Sequence, residues 1–80
     1  MHYVYLLGSL EYEGERYIGA PRDLKRRLDE HNAGKWPHTA KFRPWRLVSY
    51  LAFTDEAKAA AFERYLKQGS GHAFANKRLW

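Results

Sequence analysis

The sequence predicts an α+β domain with element order ββαβαα, the strands grouped and the helices set beside them. Three observations carry this. Period-2 alternation near the N-terminus leads into a second, glycine-bounded strand. Two stretches with helical periodicity each open near an acidic residue and close at a glycine. One aromatic, β-branched run lies between those stretches. Eighty residues leave no length for a second core, so 1–80 is expected to form one domain. Three strands are few for a sheet, and helices must cover its faces.

Residues 2–7 alternate Tyr3, Tyr5 and Leu7 against Val4 and Leu6, the pattern of a strand. Gly8, Ser9 and Gly14 follow, then the short run Arg16-Tyr17-Ile18-Gly19; two strands so close read as a hairpin. A helix comes next. Pro21 suits its first turn, Asp23 suits its positive end, and Asn32-Ala33-Gly34 stop it. Residues 34–44, GKWPHTAKFRP, carry two prolines and no period, and are expected to be a loop. Trp45 to Phe53 reads as a third strand. Thr54 is the expected cap of a second long helix that ends near Gln68. Gly69-Ser70-Gly71 break that helix, and residues 72–80 are expected to form a short last one.

Composition narrows the function. Without cysteine, neither a disulfide framework nor a thiolate zinc site is available. The apolar run at the N-terminus is too short to span a bilayer and lacks a basic lead, so no membrane role and a cytoplasmic location are expected. The formal charge of +5 is uneven. Residues 22–46 hold eight cations against three carboxylates, whereas residues 1–21 are net negative. A basic middle third suits a polyanionic partner through counterion release, and fits a merely solubilising surface about as well.

The first helix is the most informative stretch. At 100° per residue, Leu24 and Leu28 form the inward stripe, Arg27 and His31 fall on the same side, and Lys25, Arg26, Asp29 and Glu30 face water. An inward arginine is costly unless it is paired or offered to an anion. In the second long helix, Glu63 borders the apolar stripe of Ala59, Phe62 and Leu66, with small alanines leaving space around it; such a carboxylate pairs with a cation or holds a metal. Tyr5 and Tyr17 share a face of the hairpin, which core packing with a wet edge also explains. In the 34–44 segment, Lys35, His38, Lys41 and Arg43 alternate with Trp36 and Phe42. Cations and rings together suit nucleic acid, and suit equally a loop pinned to the core by its aromatics.

Taken in order, Tyr3-Val4-Tyr5, Tyr17-Ile18-Gly19, Asp23-Leu24-x-x-Arg27-Leu28-x-x-His31 and Glu63 followed by Tyr65-Leu66-Lys67 resemble the GIY-YIG nuclease superfamily, and most closely its small single-domain bacterial branch. The resemblance spans essentially the whole chain. It implies a three-stranded antiparallel sheet flanked by helices and one-metal hydrolysis of phosphodiesters in DNA. Tyr5 and Tyr17 would be the motif tyrosines, Arg27 the phosphate-binding arginine, His31 the histidine beside the tyrosines, and Glu63 the ligand to one Mg²⁺ or Mn²⁺. Lys35, Trp36, His38, Lys41 and Arg43 would bind nucleic acid. The implied substrate is DNA, cut by structure rather than sequence and with RNA still open. The alternative is a catalytically weak binding module working with a protein partner. Three departures stand out. Tyr3 occupies the glycine position of the first motif, Pro21 replaces a frequent hydroxyl residue, and Asn76 is the one candidate for the asparagine that many relatives carry after the metal-binding glutamate.

Overall fold

A computed structural model describes the whole chain, Met1–Trp80. The elements are β1 (His2–Ser9), β2 (Arg16–Gly19), α1 (Leu24–Asn32), α2 (Pro37–Ala40), β3 (Trp45–Phe53), α3 (Glu56–Leu66) and α4 (Gly69–Arg78). The sheet is antiparallel throughout, in the order β2-β1-β3.

The central strand explains the architecture. Val4, Tyr5, Leu6 and Leu7 are all fully buried, so both faces of β1 are covered, as so small a sheet requires. Val4 and Leu6 pack with Ala59, Leu66 and Ala75 of α3 and α4, with Phe62 and Ile18 at the margin. Tyr5 and Leu7 pack with Trp45, and Tyr17, Leu24, Leu28 and Phe42 close that second cluster. Each fully buried apolar side chain contributes about 1.5–3 kcal/mol, against roughly 0.3–0.5 for an exposed i,i+4 ion pair such as Lys25–Asp29. The two small cores, rather than the charged surface, hold the fold.

Several boundaries differ from expectation for identifiable reasons. Asp23, not Pro21, starts α1: its Oδ1 accepts the Arg26 N–H at 3.0 Å, while the Pro21 carbonyl accepts the Tyr3 N–H at 3.1 Å and so ties the approach to β1. Asp55 rather than Thr54 caps α3, accepting the Ala57 N–H at 2.9 Å, and α3 ends at Leu66 rather than Gln68. The 34–44 segment is not all loop, because Pro37 opens a helical turn, α2. Gly69 and Gly71 begin α4 instead of separating two helices. A Cβ on Gly71 would lie 1.7 Å from the Tyr65 carbonyl oxygen, so only glycine lets α4 turn so tightly off α3.

Candidate active site

The β1–β2 register sets Tyr5 opposite Gly19 and Leu7 opposite Tyr17, which places both tyrosine rings on the face that α1 covers. Their centroids are 6.2 Å apart, edge to face. The helical spacing of α1 brings Arg27 and His31 to the same place. His31 is 1% exposed, and its ring lies 4.9 Å from that of Tyr17. Its Nε2 is 2.6 Å from the Tyr5 hydroxyl and its Nδ1 2.7 Å from Thr39 Oγ1.

Arg27 stands at the rim with its side chain 34% exposed. Its guanidinium lies 4.9 Å over the Trp36 ring and 3.6 Å from Glu30 Oε1. Glu30 does not face water as expected. It takes the Trp36 indole N–H and the Arg26 Nε–H, both at 3.2 Å, and is screened by them. The Trp36 hydrogen bond, helped by Arg26 and Arg27, holds the Glu30 carboxyl below the usual carboxylate range.

The tyrosine and histidine shifts share one cause. Burial pushes the Tyr5 hydroxyl well above an ordinary phenol, and Tyr17 adds to this; Arg27 beside it pulls the other way, and the Glu63 charge raises it further. Burial, then the Arg27 charge, lowers His31 below the ordinary imidazole range, with Glu30 opposing. His31 is therefore neutral at pH 7, and Tyr5 keeps its proton until something accepts it.

Glu63 in α3 is partly buried, with its Oε2 2.9 Å from Lys67 Nζ. The cation-pairing reading of this carboxylate therefore applies, and its charge is also felt at Tyr5. No cluster of three histidine or carboxylate side chains that could cage a metal exists in the chain, at Glu63 or elsewhere. A single hard oxygen donor suits an ion such as Mg²⁺, which keeps most of its waters and draws remaining ligands from substrate. The residues present fit that kind of site.

Lys67 and Tyr17 also line a cleft of about 360 Å³, together with Arg16, His38, His72 and Trp80. No carboxylate side chain borders it. Arg27 itself lines a separate hollow of about 440 Å³, with Arg22, Asp23, Arg26, Glu30 and Trp36.

The 34–44 segment divides. Trp36, 41% exposed, clamps Arg27, and His38 reaches the cleft. Lys35 is exposed on the α1 side. Lys41 sits 5.2 Å over Phe42, whose ring meets Tyr12 in the hairpin connection, and Arg43 folds back over Gly34. Asn76 accepts a hydrogen bond from Arg16 Nη1 at 2.9 Å and makes none to the Tyr5–His31 pair. Thr39 was not among the expected site residues: nothing in its sequence context marks it. Glu30, three residues after Arg27, could have been found as an i,i+3 partner.

The model of the GIY-YIG catalytic domain matches residues 1–78. The chain belongs to the GIY-YIG family. As a member, it carries a nuclease-type catalytic domain. A UPF0213 protein of Lacticaseibacillus paracasei is 38% identical over 72 residues, covering 89% of this chain and 79% of that one. Homologs 1 and 2 of structure-specific endonuclease subunit SLX1 from Trypanosoma cruzi are each 41% identical over 69 residues. The match covers 78% of this chain but only 13% of either relative's length. Among solved structures, the solution NMR structure of a UPF0213 protein from Bacillus halodurans superposes with a TM-score of 0.56 at 33% identity, covering 94% of this chain and 79% of that one. No helix of the GIY-YIG chain is long and apolar enough to cross a membrane.

Proposed function

We propose that residues 1–80 act as one metal-dependent endonuclease domain that hydrolyses phosphodiester bonds in DNA, directed by structure rather than sequence. The observation that carries this is the 2.6 Å contact between a buried tyrosine and a neutral histidine, with a half-exposed arginine and a glutamate close enough to perturb that tyrosine. A purely structural core does not need an arginine and a carboxylate brought together around a buried phenol.

In this reading, Tyr5 Oη receives a proton from the attacking water as its own proton passes to His31 Nε2. The water oxygen then bonds to phosphorus while the leaving oxygen departs. Tyr5 has no exposed surface, so Arg27 must lift from Trp36 and Glu30 onto the phosphate to admit the water. There its planar fork stabilises the charge that gathers on the non-bridging oxygens. Tyr17 faces the cleft and orients water or phosphate. Glu63 would hold the divalent ion, Mg²⁺ or Mn²⁺, which when bound offsets charge on the phosphate and leaving group. Lys67 then pairs with substrate in place of Glu63. Lys35, Trp36, His38, Lys41 and Arg43 contribute to the nucleic-acid footprint, with Asn76 an outer member through Arg16.

The Trypanosoma cruzi relatives are structure-specific endonuclease subunits by name, which supports cleavage directed by structure and a protein partner. An eighty-residue domain also offers too small a footprint for strong sequence specificity by itself. The first experiment compares wild type with Glu63→Ala on supercoiled and branched DNA, with and without EDTA. Cleavage should vanish in the variant and in EDTA while most DNA binding persists. Cleavage that survives the substitution sinks the reading.

A further inference from the structure

Thr39 lies in α2 with 2% of its surface exposed, and both its carbonyl and its hydroxyl are engaged. Its carbonyl accepts the Trp45 indole N–H at 2.9 Å, which anchors α2 to β3. Its Oγ1 is 2.7 Å from His31 Nδ1 and 3.3 Å from the Trp36 carbonyl oxygen. A neutral imidazole carries one proton, so His31 either donates from Nδ1 to Thr39 and accepts at Nε2 from Tyr5, or does the reverse.

Counting donors separates the two. At one end, the Trp36 carbonyl can only accept; it already takes the Thr39 and Ala40 N–H at 3.1 and 2.9 Å, and the Thr39 hydroxyl at 3.3 Å reaches it only by donating. Oγ1 is then free to accept Nδ1–H. At the other end, Tyr5 is fully buried, the Arg27 guanidinium beside it can only donate, and His31 Nε2 is the one acceptor its hydroxyl meets. Were Nε2 to carry the proton, the Tyr5 hydroxyl hydrogen would be left without an acceptor, at a cost of about 1–3 kcal/mol. Both ends therefore favour a chain running Tyr5 O–H to Nε2, Nδ1–H to Thr39 Oγ1, and Thr39 O–H to the Trp36 carbonyl.

We propose that Thr39 is a positioning residue that selects the Nδ1–H tautomer of His31 and keeps Nε2 bare to take the Tyr5 proton. Its consequence for cleavage rests on the nuclease reading above; its consequence for the tautomer does not. Thr39 touches neither substrate nor metal. It acts through His31, as the orienting partner of a ligand or base does in other sites.

The test uses the full chain labelled with ¹⁵N-histidine at pH 8, with His31 assigned by difference against His31→Gln. Wild type should show a protonated Nδ1 and a bare Nε2. Thr39→Val should give mixed tautomers, and Thr39→Ser, which keeps the hydroxyl, should restore the wild-type pattern. In cleavage assays, Thr39→Val should lower kcat about 10- to 100-fold with KM within about twofold, and serine should recover most of it. A protonated Nε2 in the wild-type protein, which requires no variant to fold, overturns the proposal. So does an unchanged kcat in a folded Thr39→Val. If wild type cleaves nothing, the nuclease reading fails, and the tautomer pattern alone still decides what Thr39 does.

Discussion

Gly19 lies directly opposite Tyr5 in the β1–β2 ladder, and a Cβ at Gly19 would stand 2.2 Å from Cε1 of the tyrosine ring. The last residue of Tyr17-Ile18-Gly19 is thus tied to Tyr5 by space. Its φ is not in the left-handed region, so the need is for room and not for backbone freedom. Gly19→Ala should displace the ring from His31, destabilise the protein by roughly 1–3 kcal/mol as an overpacked core does, and cut cleavage more than DNA binding. Urea unfolding with parallel binding and cleavage assays checks this. Full activity in the variant would show that the ring has somewhere else to go.

Cleavage should depend on a neutral His31. Because burial and Arg27 lower its pKa, the rate should rise from acid toward neutral pH through an ionisation below the ordinary 6.5 or so of imidazole. The stability sign follows from the same shift. The unfolded chain protonates His31 first as pH falls, so this contribution is complete above about pH 6.5. It declines below that and levels off once pH passes the folded pKa. In denaturation series at pH 5 and 7, His31→Gln should narrow the gap between the two. An unchanged gap would assign acid instability to other groups.

Lys67 is a competitor for the Glu63 carboxylate. The pair is partly exposed at i,i+4 spacing, so Lys67→Met should change stability by no more than about 0.5 kcal/mol. Titrating Mn²⁺ against cleavage should show half-maximal activity at a lower ion concentration than in wild type. A higher requirement would mean that Lys67 assists ion binding instead.

DNA affinity should fall as salt rises, and the slope should report which cations touch phosphate. Arg22 lines the hollow beside Arg27, whereas Lys77 lies in the last turn of α4. Arg22→Ala should reduce the slope of log affinity against log salt by about 0.9 for duplex DNA, and Lys77→Ala should leave it unchanged. Equal slopes in all three proteins would move the footprint away from α1.

Local order in the chain was enough for most of the fold. Alternation marked β1, the 100° projection brought Arg27 and His31 to the side of Leu24 and Leu28, and the motif order named the family. Each of these is a short-range pattern, because strand and helix geometry repeat every 2 and 3.6 residues. Cap positions were off by one or two residues, since Asp23 and Asp55 compete with neighbours for the same N–H groups.

Only the tertiary structure decided what closes the site from behind. The segment 34–44 has no period, and its cations and rings suit nucleic acid and a loop pinned to the core alike; folded, Trp36 clamps Arg27 and Thr39 bonds His31. The hydrogen bond from the Trp36 indole to Glu30 and the placing of Lys67 beside Tyr17 likewise depend on how elements pack. Periodicity states which way a side chain points within its own element. Which groups from distant elements meet it, and therefore which proton, charge or ring it shares, is settled by packing alone.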